Sequence, residues 1–227
     1  IMIMQAISMG LSVGASSVVA RIMGVGDTAK AKLLNTHCIV LVLSLTALLG
    51  VLVFFNLEPF FSLLGAKDEV LDLTLGYMKI WLLGMPFFTI TLVGMTLMRA
   101  MGDAVTPGYL MTIGSTLHII IAPFFIFGLM GAPEMGLEGA AVSFVMARAV
   151  SFSSYAYVMI IRDRLLTFKM EGFFSSCRDI SHVGLPAVAS NLIAPVSMSI
   201  ITRLLAGHGA VVVAGFGVAS RIESMIQ

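Results

Sequence analysis

The sequence predicts an all-α, polytopic membrane protein. Six stretches of mostly apolar residues, each of about 20 residues or more, fill nearly the whole chain and are joined by short polar loops. Mean hydropathy is +1.04, and 11% charged residues stand against 59% hydrophobic ones. A hydrocarbon core of roughly 30 Å takes about 20 apolar helical residues to cross. Lipid offers exposed backbone no hydrogen bonds, so apolar runs of this length must be helices. A soluble domain would carry roughly a quarter charged residues, more than twice the share found here.

The spans are predicted at about 1–23, 33–55, 77–99, 108–130, 138–161 and 180–206, with a partial seventh from about 210. The first runs into the polar joint that begins at Arg21. The second starts after Lys32 and stops at Asn56. The third lies between Gly76 and Arg99, and the fourth follows Pro107 and ends near Gly131. The fifth opens at Glu138 and closes before Arg162, and the sixth runs from Ile180 to Ala206, before Gly207.

Charge on the joints orients the spans. The joint from Arg21 to Lys32 holds the basic residues Arg21, Lys30 and Lys32, and the joint 56–76 sets Lys67 against Glu58, Asp68, Glu69 and Asp72. Arg99 marks the third joint, Glu134 and Glu138 the fourth, and Arg162, Arg164, Lys169 and Arg178 the fifth. Lys and Arg collect on cytoplasmic loops. The joints 21–32, 99–107 and 162–178 are therefore predicted inside, and 56–76 and 131–137 outside. The first span then runs out to in, and the sixth in to out. The stretch 163–179, with Phe168, Met170, Phe173 and Phe174 among charges, reads either as an amphipathic segment on the inner membrane surface or as a solvated linker between two bundles.

The remaining composition narrows the function. A net charge of +1 gives no field that would suggest a nucleic-acid partner. The 17 methionines read as pliable packing or as an adaptable ligand surface. Cys38 and Cys177 do not make a disulfide framework and read as reduced, structural thiols. No HExxH, CxxC or Walker-type GxxxxGK[ST] pattern is present, and no metal or cofactor site is predicted. The absent P-loop argues against ATP hydrolysis by this chain. An intramembrane enzyme would need a midplane nucleophile or metal cluster, and one histidine without a nearby acid or cysteine does not supply it, so the chain is read as a non-enzyme. It opens inside an apolar run at Ile1 and stops soon after another has begun, which predicts a piece of a longer polypeptide.

Function is therefore sought inside the spans. Pro86, Pro123, Pro186 and Pro195 fall within them, where each removes a backbone donor and bends the helix. Such a bend reads equally as a static kink or as a hinge that moves. His118 and Arg148 sit at similar insets on consecutive antiparallel spans, which puts both near the bilayer midplane. A charge there faces the bundle interior or a wet cavity. Histidine titrates nearest neutrality, so His118 is a candidate proton carrier; its alternative is a neutral ring bonded to neighbouring backbone, and that of Arg148 a structural pair. Asn191, four residues before Pro195, reads as a partner for the backbone freed by that kink or as a pathway residue. Thr112, Ser115 and Thr116 are candidates for a polar seam beside His118, or ordinary helix-packing contacts. Arg203, near the outer end of its span, is expected to snorkel to the interface.

Several stretches together resemble the multidrug and toxic compound extrusion (MATE) transporters. They are Arg21-Ile22-Met23-Gly24-Val25-Gly26-Asp27 at the first inner joint, Gly84-Met85-Pro86-Phe87 with Met98-Arg99-Ala100-Met101-Gly102-Asp103 and Thr106-Pro107, and His118 through Ala122-Pro123 to Gly128. Gly136-Leu137-Glu138-Gly139-Ala140-Ala141, Gly184-Leu185-Pro186 and the run from Ala214 through Gly217 to Arg221-Ile222-Glu223 complete the set in order along the chain. The resemblance implies a twelve-helix fold of two pseudo-symmetric bundles, of which helices two to seven and the start of eight are present. Residues 1–161 would be the first bundle lacking its first helix, 162–179 a cytoplasmic linker, and 180–227 the start of the second bundle. It further implies a bacterial inner-membrane antiporter that exports cationic or amphipathic, drug-like molecules in exchange for H⁺ or Na⁺ by alternating access. Its partners would be the solute, the lipid bilayer and the rest of the polypeptide. The runner-up is a lipid-linked saccharide flippase of the same superfamily, although such cavities carry several basic residues and only Arg148 is central here.

Two positions depart from the family pattern. Many bacterial relatives carry Asn and, four residues later, Asp on the fifth helix, where this chain has His118 and Ala122. Many also have an acid on the seventh helix, eight residues after its proline, where this chain has Ala194. His118 is then a candidate replacement for the lost carboxylate. Arg148 would pair with an acid on the first helix or, without one, meet an anionic substrate.

Overall fold

Among the described residues every regular element is a helix, and six helices are long and apolar enough to cross a membrane. The computed structural model describes residues 2–64, 68–129, 134–167 and 169–226, without the side chains of residues 69, 210 and 223–226. Lys67 and Phe168, and the side chains of Glu69 and Glu223, therefore lie outside the described residues. The elements are α1 (Met2–Gly24), α2 (Thr28–Phe55), α3 (Leu57–Leu63), α4 (Asp68–Ala100), α5 (Val105–Phe127), α6 (Gly136–Tyr157) continued by a π-turn (Val158–Arg162), α7 (Phe173–Ala206) and α8 (Ala210–Ile226).

The helix ends follow local chemistry. Asp27 accepts a 3.0 Å bond from the backbone N–H of Lys30 and starts α2. The Asp103 carboxylate accepts from the N–H groups of Val105 (3.1 Å) and Thr106 (3.0 Å), filling donors that the first turn of α5 leaves free. Gly128, with a φ of 65°, closes α5 in a left-handed cap. Three helices begin five or more residues earlier than the apolar runs suggest, α2 at Thr28 rather than 33, α4 at Asp68 rather than 77 and α7 at Phe173 rather than 180. Hydropathy marks where a helix enters hydrocarbon, whereas backbone bonding continues into its polar turns. The joint 56–76 also contains the short helix α3.

Two apolar layers hold the helices. Towards one end Leu57, Met78, Trp81, Leu82 and Met85 gather around Met4. Towards the other, α1, α2, α4, α6 and α7 close around Leu11, Val19, Leu34, Val93, Leu97, Met159 and Ile180. The basic joints meet at this second end. Arg162 pairs with Asp103 at 3.2 Å and with Asp163 at 2.6 Å, and it donates to Thr106 Oγ1 at 3.0 Å. Tyr155 adds a buried bond to the carbonyl of Pro107 at 3.0 Å.

The crossing of α1 and α7 brings two backbones into close approach. A Cβ on Gly14 would stand 2.6 Å from the Cα of Gly184, and one on Gly10 2.5 Å from the backbone nitrogen of Val188. Lipid tails are as apolar as leucine, so helices in membranes associate through such close backbone approach. The buried stripe on α7 runs Ser176, Ile180, Gly184, Val188 and ends there.

Residues 173–179 are the first turns of α7, and Arg164 turns the chain back with a φ of 47°. Leu165 is thereby buried in the second layer, its N–H bonded to the Met159 carbonyl at 2.8 Å. The N-terminal turns of α2 hold this turn: Asn35 donates to the Leu165 carbonyl at 3.2 Å, and Thr36 Oγ1 accepts from the N–H of Thr167 at 3.0 Å. His37 Nδ1 meets Ser176 Oγ at 2.8 Å, and its ring stands edge-on to Phe173. Asn35 and His37 are fully buried, so these bonds replace water for Asn35 Nδ2 and His37 Nδ1, while Asn35 Oδ1 and His37 Nε2 have no partner among the described residues.

Candidate functional site

Arg148 lies near the middle of its helical span. At 1.5 Å per residue, Arg148 is roughly 18 Å from one end of the span Gly136–Arg162 and about 21 Å from the other. His118 is about 20 Å from the start of α5 at Val105, which runs antiparallel to α6, so the two share a depth.

Aromatic rings bring them together. The Arg148 guanidinium carbon is 5.2 Å from the ring centre of Phe88 on α4 and 5.2 Å from that of Phe144 on α6. The two rings are themselves 6.1 Å apart and tilted by 37°, so both lie on one side of the guanidinium carbon and form an aromatic floor for it. Phe144 also receives the His118 ring edge-on at 5.9 Å and stacks on the buried Trp81 at 5.8 Å. Phe144 precedes Arg148 by one helical turn, which aligns their side chains on one face of α6.

Magnitudes decide what this floor can do. Cation–π attraction supplies about 0.5–1 kcal/mol at exposed sites and ~2 or more when desolvated. An arginine at a helix centre costs about 2.5–3.5 kcal/mol even on translocon-insertion scales. The floor orients the cation and offsets only part of that cost. Arg148 is partly buried, and among the described residues it makes no ion pair. The central turns of the described spans contain no Asp or Glu.

The other sequence candidates divide. Ser115 is about 60° round α5 from His118 and shares its side of the helix, whereas Thr112 is about 120° away and Thr116 about 160°. Both threonines are exposed, and Thr112 bonds back to the Gly108 carbonyl at 3.0 Å. Ser115 is exposed as well, and of the three it is the one nearest the direction of His118. Asn191 makes no side-chain hydrogen bond among the described residues, so it does not partner the kink at Pro195. It continues the face of α7 that carries Gly184 and Val188, one turn beyond the last buried residue. All four prolines lie inside helices. Beyond two of them a serine bonds the proline's own carbonyl, Ser190 to Pro186 at 3.1 Å and Ser199 to Pro195 at 2.8 Å, a back-bond that favours bending. Arg203 is exposed in the last turn of α7.

Sequence reasoning missed Phe88 and Phe144, which carry the site, as well as the Asn35-Thr36-His37 grip. Phe144 was findable from its spacing of four before Arg148; Phe88 comes from another helix and left no local signal. Gly10-Leu11-Ser12-Val13-Gly14 spells the Gly-x-Ser-x-Gly pattern of serine hydrolases. It lies mid-helix rather than on a strand-to-helix turn, and Ser12 donates to the Ser8 carbonyl at 2.6 Å, so it serves the α1–α7 crossing.

These features define an α-helical, multi-pass membrane protein with an arginine held on an aromatic floor. The MatE family profile matches residues 1–124, and the chain belongs to that family of multidrug and toxic compound extrusion proteins. It is 32% identical to an FAD transporter of Shewanella oneidensis, over 99% of this chain and 50% of that protein. It is 28% identical to a probable multidrug resistance protein NorM of Thermotoga maritima, over 98% of this chain and 48% of that one. Its structure matches a MOP-superfamily transporter from Pyrococcus furiosus, described as having a binding pocket of reverse polarity. That match has a TM-score of 0.81 at 31% identity, over 98% of this chain and 50% of the other. The chain spans about half the length of the relatives it matches, as expected for one part of a pseudo-symmetric, two-bundle fold.

Proposed function

We propose that the full-length protein is a secondary active antiporter of the bacterial inner membrane, exporting amphipathic small molecules in exchange for H⁺ or Na⁺. The observation that carries this reading is Arg148 at midspan, partly buried and resting on Phe88 and Phe144, with His118 against the same ring. An ionisable pair at that depth belongs to a pathway rather than to packing. Family membership and the named activities of the relatives support it. Residues 1–161 act as one bundle and those from α7 onward as the start of its pseudo-symmetric partner. Alternating access then requires the α1–α7 crossing to rock, with the kinks at Pro186 and Pro195 taking up the bend.

His118 is proposed as the proton-carrying group in place of the missing carboxylate. Ser115 and Asn191 line the route, and Thr112 stands at its edge. A flippase for lipid-linked saccharides is the second reading, because its phosphates would suit Arg148; the single central cation favours a smaller solute. The relatives widen the solutes worth testing to a cationic dye and FAD. Proteoliposomes of the complete protein, given a pH gradient without sodium and then a sodium gradient without a pH step, test the reading. One gradient is expected to drive export of a solute. Failure of both gradients with every solute contradicts it. Unaltered pH dependence in His118→Asn removes the histidine from coupling.

A further inference from the structure

We propose that Arg148 is the anchoring cation for an oxyanion, a carboxylate or phosphate, on the molecule this site binds. The inference deepens the transporter reading, on which it rests, by giving its site a charge preference opposite to the cationic class that the family resemblance implies. Three observations carry it.

The first is polarity. Arg148 is the one permanently charged side chain in the central turns of the described spans, and no Asp or Glu accompanies it there. A cationic solute would meet repulsion at this depth, where a low dielectric leaves it unscreened. The second is orientation. Phe88 and Phe144 lie on the same side of the guanidinium carbon, since their ring centres are each 5.2 Å from it and only 6.1 Å from one another. That side is satisfied by π-electrons. The planar fork of N–H donors, directed in the guanidinium plane, has no hydrogen-bond acceptor among the described residues, and a carboxylate or phosphate matches such a fork bidentately. The third is rigidity. Phe144 packs against Trp81 at 5.8 Å, Phe88 at 6.1 Å and His118 at 5.9 Å, so the ring beside the guanidinium is itself held by neighbours on α4 and α5. A cation set against a held ring loses less freedom when an acceptor arrives.

The same chemistry serves a soluble organic anion or the phosphate of a lipid headgroup. Equilibrium binding to the purified complete protein, with a matched pair of fluorescent probes, tests the proposal. The probes are 1-pyrenebutyrate and the same pyrene-butyl frame ending in trimethylammonium. Pyrenebutyrate is expected to bind at least tenfold tighter than its cationic twin. Arg148→Gln is expected to erase that preference, and Arg148→Lys to retain it in part, because lysine keeps the charge and loses the fork. Displacement of pyrenebutyrate by dihexanoyl phosphatidic acid assigns the site to lipid phosphate, and resistance to displacement assigns it to soluble anions. Equal binding of the twins by wild-type protein, absence of binding by either, or a preference that survives in Arg148→Gln overturns the proposal. The transporter reading is judged separately: anion binding without transport of any solute removes that reading and leaves the site standing. Gradient-driven export of a dye with equal binding of the twins does the reverse.

Discussion

His118 and Arg148, carried by neighbouring antiparallel helices, meet on one ring: the imidazole is 5.9 Å from the centre of Phe144 and the guanidinium 5.2 Å from it. Neither needs to touch the other for each to depend on the same aromatic side chain. Phe144 therefore joins the candidate coupling group to the candidate substrate group.

Replacing Phe144 is expected to affect both. Phe144→Leu keeps an apolar side chain but loses the cation–π contact and the stack on Trp81. The expected destabilisation is about 1–2 kcal/mol, from interactions worth roughly 0.5–1.5 kcal/mol each. Phe144→Tyr keeps the ring and is expected to stay near wild type. Thermal unfolding of the detergent-solubilised protein checks both, and equal melting temperatures for Leu and wild type contradict the role given to the ring.

The α1–α7 crossing supplies a sharper contrast within one helix. Gly14→Ala forces a Cβ to within 2.6 Å of Gly184 Cα, and backbone cannot yield as a side chain can. A loss of about 1–3 kcal/mol is expected. Gly24, at the end of the same helix, has nothing within 4 Å of a built Cβ. Gly24→Ala should be neutral or stabilising by up to about 1 kcal/mol. The pair is compared in the same unfolding assay, and similar effects from both would show that close approach is not what holds these helices.

The grip of α2 on the turn before α7 is expected to be visible in exchange rates. His37→Ala leaves the Ser176 hydroxyl without its partner at a buried site, at a cost of about 1–3 kcal/mol. Hydrogen–deuterium exchange should accelerate over 165–176 while the middle of α4 stays protected. Unchanged exchange across that stretch would mean that the turn is held by its apolar contacts alone.

Acid should act on the start of α5 through Asp103. The side-chain hydroxyl of Thr106, its backbone N–H and that of Val105, and then Arg162, all favour the ionised carboxylate, which is held below its ordinary value of 3.8. Its contribution is thus fully present above that ordinary value and is lost as pH falls through the lower folded one. Asp103→Asn removes this pH dependence, and Asp103→Ala should weaken the start of α5 by about 0.5–2 kcal/mol. A difference in melting temperature between Asp103→Asn and wild type that stays constant from neutral pH to below 3.8 would contradict the assignment.

Legibility in the sequence followed the range of the interactions. The spans were readable because lipid forces a long apolar run into a helix. The shared depth of His118 and Arg148 was readable for the same reason, since rise per residue fixes depth. Contacts between helices were not. Phe88 lies 60 residues before Arg148, and nothing in its own neighbourhood distinguishes it from a lipid-facing phenylalanine. Asn35 and His37 showed as polar residues at a span entry, but their partners Leu165 and Ser176 are more than a hundred residues away. Helical angles set Thr112 a third of a turn from His118 and Ser115 nearer to it.

The most direct test of the central claim is the rate at which the complete protein in proteoliposomes moves solute after Arg148→Gln, measured beside Arg203→Gln. Each variant removes one positive charge from a span, the first at midspan on Phe88 and Phe144, the second exposed at a helix end. A fall of at least tenfold in Arg148→Gln with a near wild-type rate in Arg203→Gln is the predicted result. An Arg148→Gln protein that transports every wild-type solute at the wild-type rate would contradict it.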